Sequence, residues 1–164
     1  MRLAVIGTLA FILSAGMPAR AALSSDDASF VQAAQHDALG NYALASLARG
    51  KAQNPQAKQL ATQILTDATQ ANDFIRTYAK SHAVTLDNQP SVRADNQYSN
   101  ISSDKGSSFD KDFANAVYID SNIALDTYKD EAAHGSDPAL RAFAKKQLAA
   151  LQTFSKTAQK LAPQ

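Results

Sequence analysis

Residues 54–73 read NPQAKQLATQILTDATQAND, and the reading of this stretch decides the fold. Asn54 is a helix-capping residue type, and Pro55 suits the first helical position, where a backbone N–H has no intrahelical partner to lose. Behind them Ala57, Ala61, Ile64, Ala68, Ala71, Ile75 and Tyr78 recur every three or four residues, which is the period of one helix face. The same signal returns 83 residues later, where Asp137-Pro138 opens a stripe of Leu140, Ala144, Leu148, Leu151, Phe154, Ala158 and Leu161. That single offset also superimposes Ser25 on Ser108, Asp27 on Asp110, Phe30 on Phe113, Asp37 on Asp120, Ala61 on Ala144 and Leu65 on Leu148. Shared caps, prolines and seam residues in one register favour a duplicated helical hairpin over coincidence in an alanine-rich chain.

Each of these helices has a partner. Ser25 is a plausible N-cap for a first helix to about Ala48, with Asp26 and Asp27 in its first turn, where negative charge suits the helix dipole, and Gly50 as its stop. Ser108 is the corresponding cap for a third, with Phe109, Phe113, Val117, Asp120, Ala124 and Tyr128 on one face and Gly135 just beyond it. Between the hairpins, Val84 to Ser107 breaks the periodicity with Asp87, Asn88, Pro90, several serines and Gly106. A connector of 24 residues is too long for a simple turn, and a short helix is expected near Val92, Tyr98 and Ile101. Period-two alternation is absent. The expected fold is therefore all-α, a ferritin-like four-helix bundle of two antiparallel hairpins, residues 25–83 and 108–162, joined by a long crossover containing a short helix.

The N-terminus carries a different message. Arg2, the apolar run Leu3 to Ala15 and the small-x-small triplet Ala19-Arg20-Ala21 read as a cleaved secretory signal over residues 1–21, with cleavage after Ala21 or Ala22. Residues 22–164 would then form a single periplasmic domain. Removing Arg2 and Arg20 with the signal leaves 14 basic against 15 acidic residues, too even a balance for general attraction to nucleic acid. Cysteine is absent, so neither disulfides nor thiolate metal sites are available in an oxidising compartment.

Four stretches, FVQAAQHDALGNYALASLA (Phe30 to Ala48), NPQAKQLATQILTDATQAND (Asn54 to Asp73), FDKDFANAVYIDSNIALDTYKDEA (Phe109 to Ala132) and DPALRAFAKKQL (Asp137 to Leu148), resemble the exported bacterial family catalogued as domain of unknown function 4142. The resemblance implies a ferritin-like bundle. In members of that family that look ready to bind metal, a glutamate lies in the first helix, Asp-His pairs in the second and third, and a histidine in the fourth. Here those places hold Asn41, Asp67-Ala68, Asp120-Ser121 and Phe154. Both aspartates stay, while the glutamate and the histidines are replaced.

Composition speaks independently against a di-iron centre, which needs about four glutamates and two histidines projecting inward. Of the 15 acidic residues 14 are Asp, and Glu131, near a helix end, is the only Glu. Asp37, Asp67 and Asp120 fall near the middle of their helices with Asn41 beside them. They could form a hard-cation site of oxygen ligands. Alternatively, Asp37 and Asp120 are partly buried carboxylates satisfied by Asn41, Ser121, Asn122 or tyrosine hydroxyls, with Asp67 facing solvent. His36, His82 and His134 lack metal-ligand spacing, and no serine has a nucleophile's setting. Arg141, Lys145, Lys146, Lys156 and Lys160 could touch lipid headgroups in a peripheral membrane contact, but the acidic third helix is expected to balance them. These readings favour a non-catalytic module, without cofactor, that binds a periplasmic or envelope partner or helps the envelope tolerate stress. A metal-binding bundle using Asp37, Asp67 and Asp120 is the alternative.

Overall fold

The computed structural model describes residues 23–162, so the signal segment expected at residues 1–21 lies outside the described residues. Five helices follow in order: α1 (Ser25–Lys51), α2 (Pro55–His82), α3 (Val92–Ser102), α4 (Gly106–His134) and α5 (Pro138–Leu161). No strand occurs among the described residues, in keeping with the all-α expectation. No helix among them is long and apolar enough to cross a membrane.

The proline-led starts form as their chemistry dictates. The Asn54 side chain accepts hydrogen bonds from the N–H groups of Gln56 and Ala57, and that of Asp137 from Ala139 and Leu140, satisfying donors that the first turn leaves orphaned. Two other expected caps are corrected. Ser24, not Ser25, caps α1, its hydroxyl accepting from the N–H of Asp27 at 3.0 Å. Ser108 caps nothing: α4 starts earlier, at Gly106, whose φ of +62° turns the chain out of α3, and Lys105 precedes it with no side-chain cap.

α1 packs chiefly on α2, and α4 on α5, with lesser contacts of α1 on α4 and α2 on α5. The core lies in two apolar clusters. One joins the start of α1 (Phe30, Val31, Ala34) to the end of α2 (Ile75, Tyr78), the end of α4 (Tyr128) and the start of α5 (Leu140, Phe143). The other joins the end of α1 (Leu44, Ala48) to the start of α2 (Leu60, Ile64), the start of α4 (Phe109, Phe113) and the end of α5 (Phe154, Ala158). α1 and α5 therefore run one way, and α2 and α4 the other. Small residues at Ala34, Ala45, Ala48, Ala57, Ala61, Ala114 and Ala144, all fully buried, let the helices approach closely.

The offset of 83 residues reappears in three dimensions. Asp110, just past the first turn of α4, accepts from the N–H groups of Gln53 at 3.0 Å and Asn54 at 2.8 Å, in the α1–α2 turn. Its sequence equivalent Asp27, in the first turn of α1, accepts from the N–H of Ser136 at 2.9 Å, in the α4–α5 turn. Ser136 is the equivalent of Gln53. Each hairpin's first helix thus holds the other hairpin's turn, which is what an internal two-fold relation would produce. Asp110→Ala is expected to lower stability by about 1–2 kcal/mol, the cost of leaving polar groups without a partner, and to speed hydrogen exchange at the Gln53 and Asn54 amides.

α3 crosses α1 and α4. The crossing is close because Gly40 offers no side chain: a Cβ there would meet the Cβ of Ala94 at 2.6 Å. The connector before α3 is held by Gln35, wholly buried in α1, whose amide exchanges hydrogen bonds with the side chain and backbone of Asn88. The His36 Nε2–Asp87 pair at 2.7 Å adds a second tie. Gly40→Ala is expected to destabilise the fold by about 1–2 kcal/mol in chemical denaturation, because overpacking outweighs the gain in helix propensity.

Candidate functional site

Between the two apolar clusters lies a polar belt. Gly40 and Asn41 of α1, Asp67 of α2, and Asp120 and Ser121 of α4 fall in the sequence gap where one cluster ends and the other begins, with Asp37 just before its edge at Ala38. Arg93, in the first turn of α3, enters this belt from the side. Its Nη1 faces Asp120 Oδ1 at 3.3 Å, near enough for charge attraction but off the axis of a hydrogen bond, and both atoms are shielded from solvent. Asp37, Asn41, Arg93, Ala94 and Asp120 line one small cavity of about 10 Å³, room for about one water molecule.

The electrostatics follow from this crowding. Burial pushes the Asp37 carboxyl up to about 6, opposed by the Arg93 guanidinium and reinforced by the negative charge of Asp120. Asp120 is also raised by burial, with Arg93 as the first opposing influence. Of the three aspartates singled out from sequence, Asp37 and Asp120 are therefore brought together, around Arg93. Asp67 stands apart: burial raises it, while Lys146 and a hydrogen bond from Gln147 pull it down. Among the described residues no three of His, Cys, Asp and Glu assemble in a way that could hold a metal ion.

The second polar region is at one end of the helical body, where the start of α1 meets the end of α4. A cavity of about 400 Å³ is lined there by Asp26, Asp27, Phe30, Asp130, Glu131 and His134, with Gly135 and Ser136 closing one side. Glu131, near the end of α4 as expected, is only 5 % exposed, and Asp27 only 1 %. Glu131 Oε1 has no hydrogen-bond partner and rests against Gly135, where an added Cβ would lie 2.0 Å from it. Burial, and then the charges of Asp27 and Asp137, push the Glu131 carboxyl up to about 7. Arg141 of α5 donates to the carbonyls of Gly135 and Ser136 at 2.7 and 3.0 Å.

The histidines have local partners: His134 Nδ1 contacts Asp130 at 2.8 Å, and His82 contacts the Tyr78 carbonyl and stacks on its ring. The expected balance between the acidic and basic helices of the second hairpin is not made by direct pairs. No ion pair among the described residues joins α4 to α5, and Lys146 reaches Gln70 of α2 instead.

Fold and polar belt together define an all-α protein of two packed helical hairpins with carboxylates at its mid-level. The chain belongs to the family described as a domain of unknown function, DUF4142, whose sequence model matches residues 13–161. No curated protein and no solved structure matches it.

The places that metal-ready family members use do not fit a metal here. Ala68 and Phe154 are buried carbon at two of them, and Phe154 belongs to the apolar core. At a third, Asp120 already faces the positive charge of Arg93. Sequence reading missed Arg93 because it lies in the irregular connector, and noted Glu131 only as the sole glutamate, near a helix end. Gly40, a glycine inside a strong helical pattern, was the available sign that another segment approaches there.

Proposed function

We propose that the protein is an exported, non-catalytic binding module built on a ferritin-like four-helix frame, serving the cell envelope. The helix directions support the frame, since a long crossover between hairpins gives this arrangement of paired directions. The signal-like residues 1–21 support export to the periplasm. The observation that carries the non-catalytic reading is Arg93 beside Asp37 and Asp120: the attraction of an internal guanidinium opposes the burial of both mid-level carboxylates. No nucleophile–base pair stands at either polar region.

The competing reading, a hard-cation site formed by Asp37, Asp67 and Asp120, is not supported by the geometry, because Asp67 lies beside Lys146 and Gln147 and lines a different cavity from the one that Asp37 and Asp120 share. Elemental analysis of tag-free protein from a metal-replete periplasm separates the two. The binding-module reading expects substoichiometric metal that Asp120→Ala does not change. Stoichiometric metal lost on Asp37→Ala or Asp120→Ala would replace it with the metal reading.

A further inference from the structure

The acidic cavity between α1 and α4 lacks a cation, and the internal repeat shows what kind of group is missing. At the opposite end of the body, the position equivalent to Glu131 is Ala48, buried in apolar packing, and the position equivalent to His134 is Lys51. The Lys51 ammonium lies over the Phe109 ring, 5.3 Å from its centroid, and donates to the Ser102 carbonyl. That end supplies its own cation over an aromatic ring.

At the Glu131 end the corresponding ammonium is absent and carboxylates have multiplied. Asp26 and Asp27 face the cavity from α1, and Asp130 and Glu131 from α4, over the Phe30 ring. His134 is held by Asp130 at 2.8 Å, Arg141 of α5 is committed to backbone carbonyls, and Asp137 of α5 adds further negative charge. Tyr78 of α2 brings only a hydroxyl, held beside Asp137. Glu131 is nine-tenths buried and within hydrogen-bonding reach of Asp27, yet its Oε1 has no partner among the described residues. A buried carboxylate in that position is costly unless a proton or a cation compensates it.

We propose that this cavity binds an organic cation, an ammonium or guanidinium group supplied by a free polyamine or by a lysine or arginine of a partner protein. A bare metal ion fits less well, since no three acidic or imidazole groups among the described residues converge as ligands. The volume of about 400 Å³ suits a small molecule or one long side chain. Binding displaces the proton that Glu131 holds, so affinity rises with pH until that carboxyl is fully ionised.

The proposal deepens the binding-module reading and rests on it. Isothermal titration of the full mature protein with spermidine, and separately with a capped arginine tripeptide, tests it at low ionic strength. Binding of at least one probe at one equivalent is expected, with Kd on the order of 0.1–1 mM, and with protons released into the buffer. Glu131→Gln, and independently the surface change Asp130→Asn, should each weaken it about tenfold or more, while Asp67→Asn leaves it unchanged. Tighter binding of spermidine would identify a free amine as the source, and of the peptide a basic protein segment. Absence of binding by both probes, or binding that survives both variants, overturns the proposal. Metal content is read separately, so a metal-free protein that takes neither probe loses this ligand class and keeps the binding-module reading.

Discussion

Arg93→Ala is expected to destabilise the protein by about 2–3 kcal/mol at neutral pH, below the range for a fully buried pair because the Arg93 side chain is about one-third exposed. The loss has two sources. The guanidinium is the only group whose attraction offsets the burial of both Asp37 and Asp120, so its removal leaves two carboxylates crowded at one level. Its stem also packs α3 against the body, and that contact is lost with the charge. The pH dependence separates the two contributions. Without Arg93 the folded-state affinity of both carboxylates for protons rises further, so the variant loses more stability than the wild type as pH increases. The difference between them should be smallest near pH 4, where both aspartates can hold protons, and should reach its maximum above about pH 7. Arg93→Lys should recover part of it. Urea denaturation of the three proteins across that range provides the check, and a pH-independent difference would assign the effect to packing alone.

The wild-type protein is itself expected to be more stable at mildly acidic pH than at pH 7.5, by about 2–3 kcal/mol after allowance for solvent screening. Asp37 is pushed from 3.8 up to about 6, and Glu131 from 4.5 up to about 7. In each case the folded state keeps a proton that the unfolded chain has already released. Their contributions are therefore fully present below the unfolded values and are lost as pH rises through the folded ones, over a window from about 4 to about 7. Asp37→Asn and Glu131→Gln, which mimic the protonated forms, should each raise stability at pH 7.5 by about 1 kcal/mol, and the double variant should flatten the profile. Stability rising between pH 5 and 7.5 would contradict both assignments.

What the sequence disclosed, and what it hid, divides along the line between local and tertiary causes. The α2 and α5 starts were legible because Asn54-Pro55 and Asp137-Pro138 act within one turn of themselves. The start of α4 was misplaced because Ser108 is a good cap by type, while the chain's turn is made by the positive φ of Gly106, which depends on how α3 is delivered. The repeat was visible as matching residues, but its structural content, Asp27 and Asp110 each capping the opposite hairpin's turn, links residues 109 and 57 positions apart, a pairing beyond the reach of local periodicity. Asp37 and Asp120 were recognisable as mid-level carboxylates. Their partner was not, since Arg93 reaches them only because Gly40 lets α3 approach. Glu131 drew attention only as the sole glutamate near a helix end, and its burial comes from the Gly135–Ser136 turn folding over it.

Compensation of the mid-level carboxylates from within, by Arg93, is tested most directly by the thermal midpoint of tag-free protein with and without excess manganese(II). A metal that binds the native state must raise that midpoint by mass action. The expected result is no shift for the wild type. A rise of several degrees that Asp37→Ala or Asp120→Ala abolishes would contradict it.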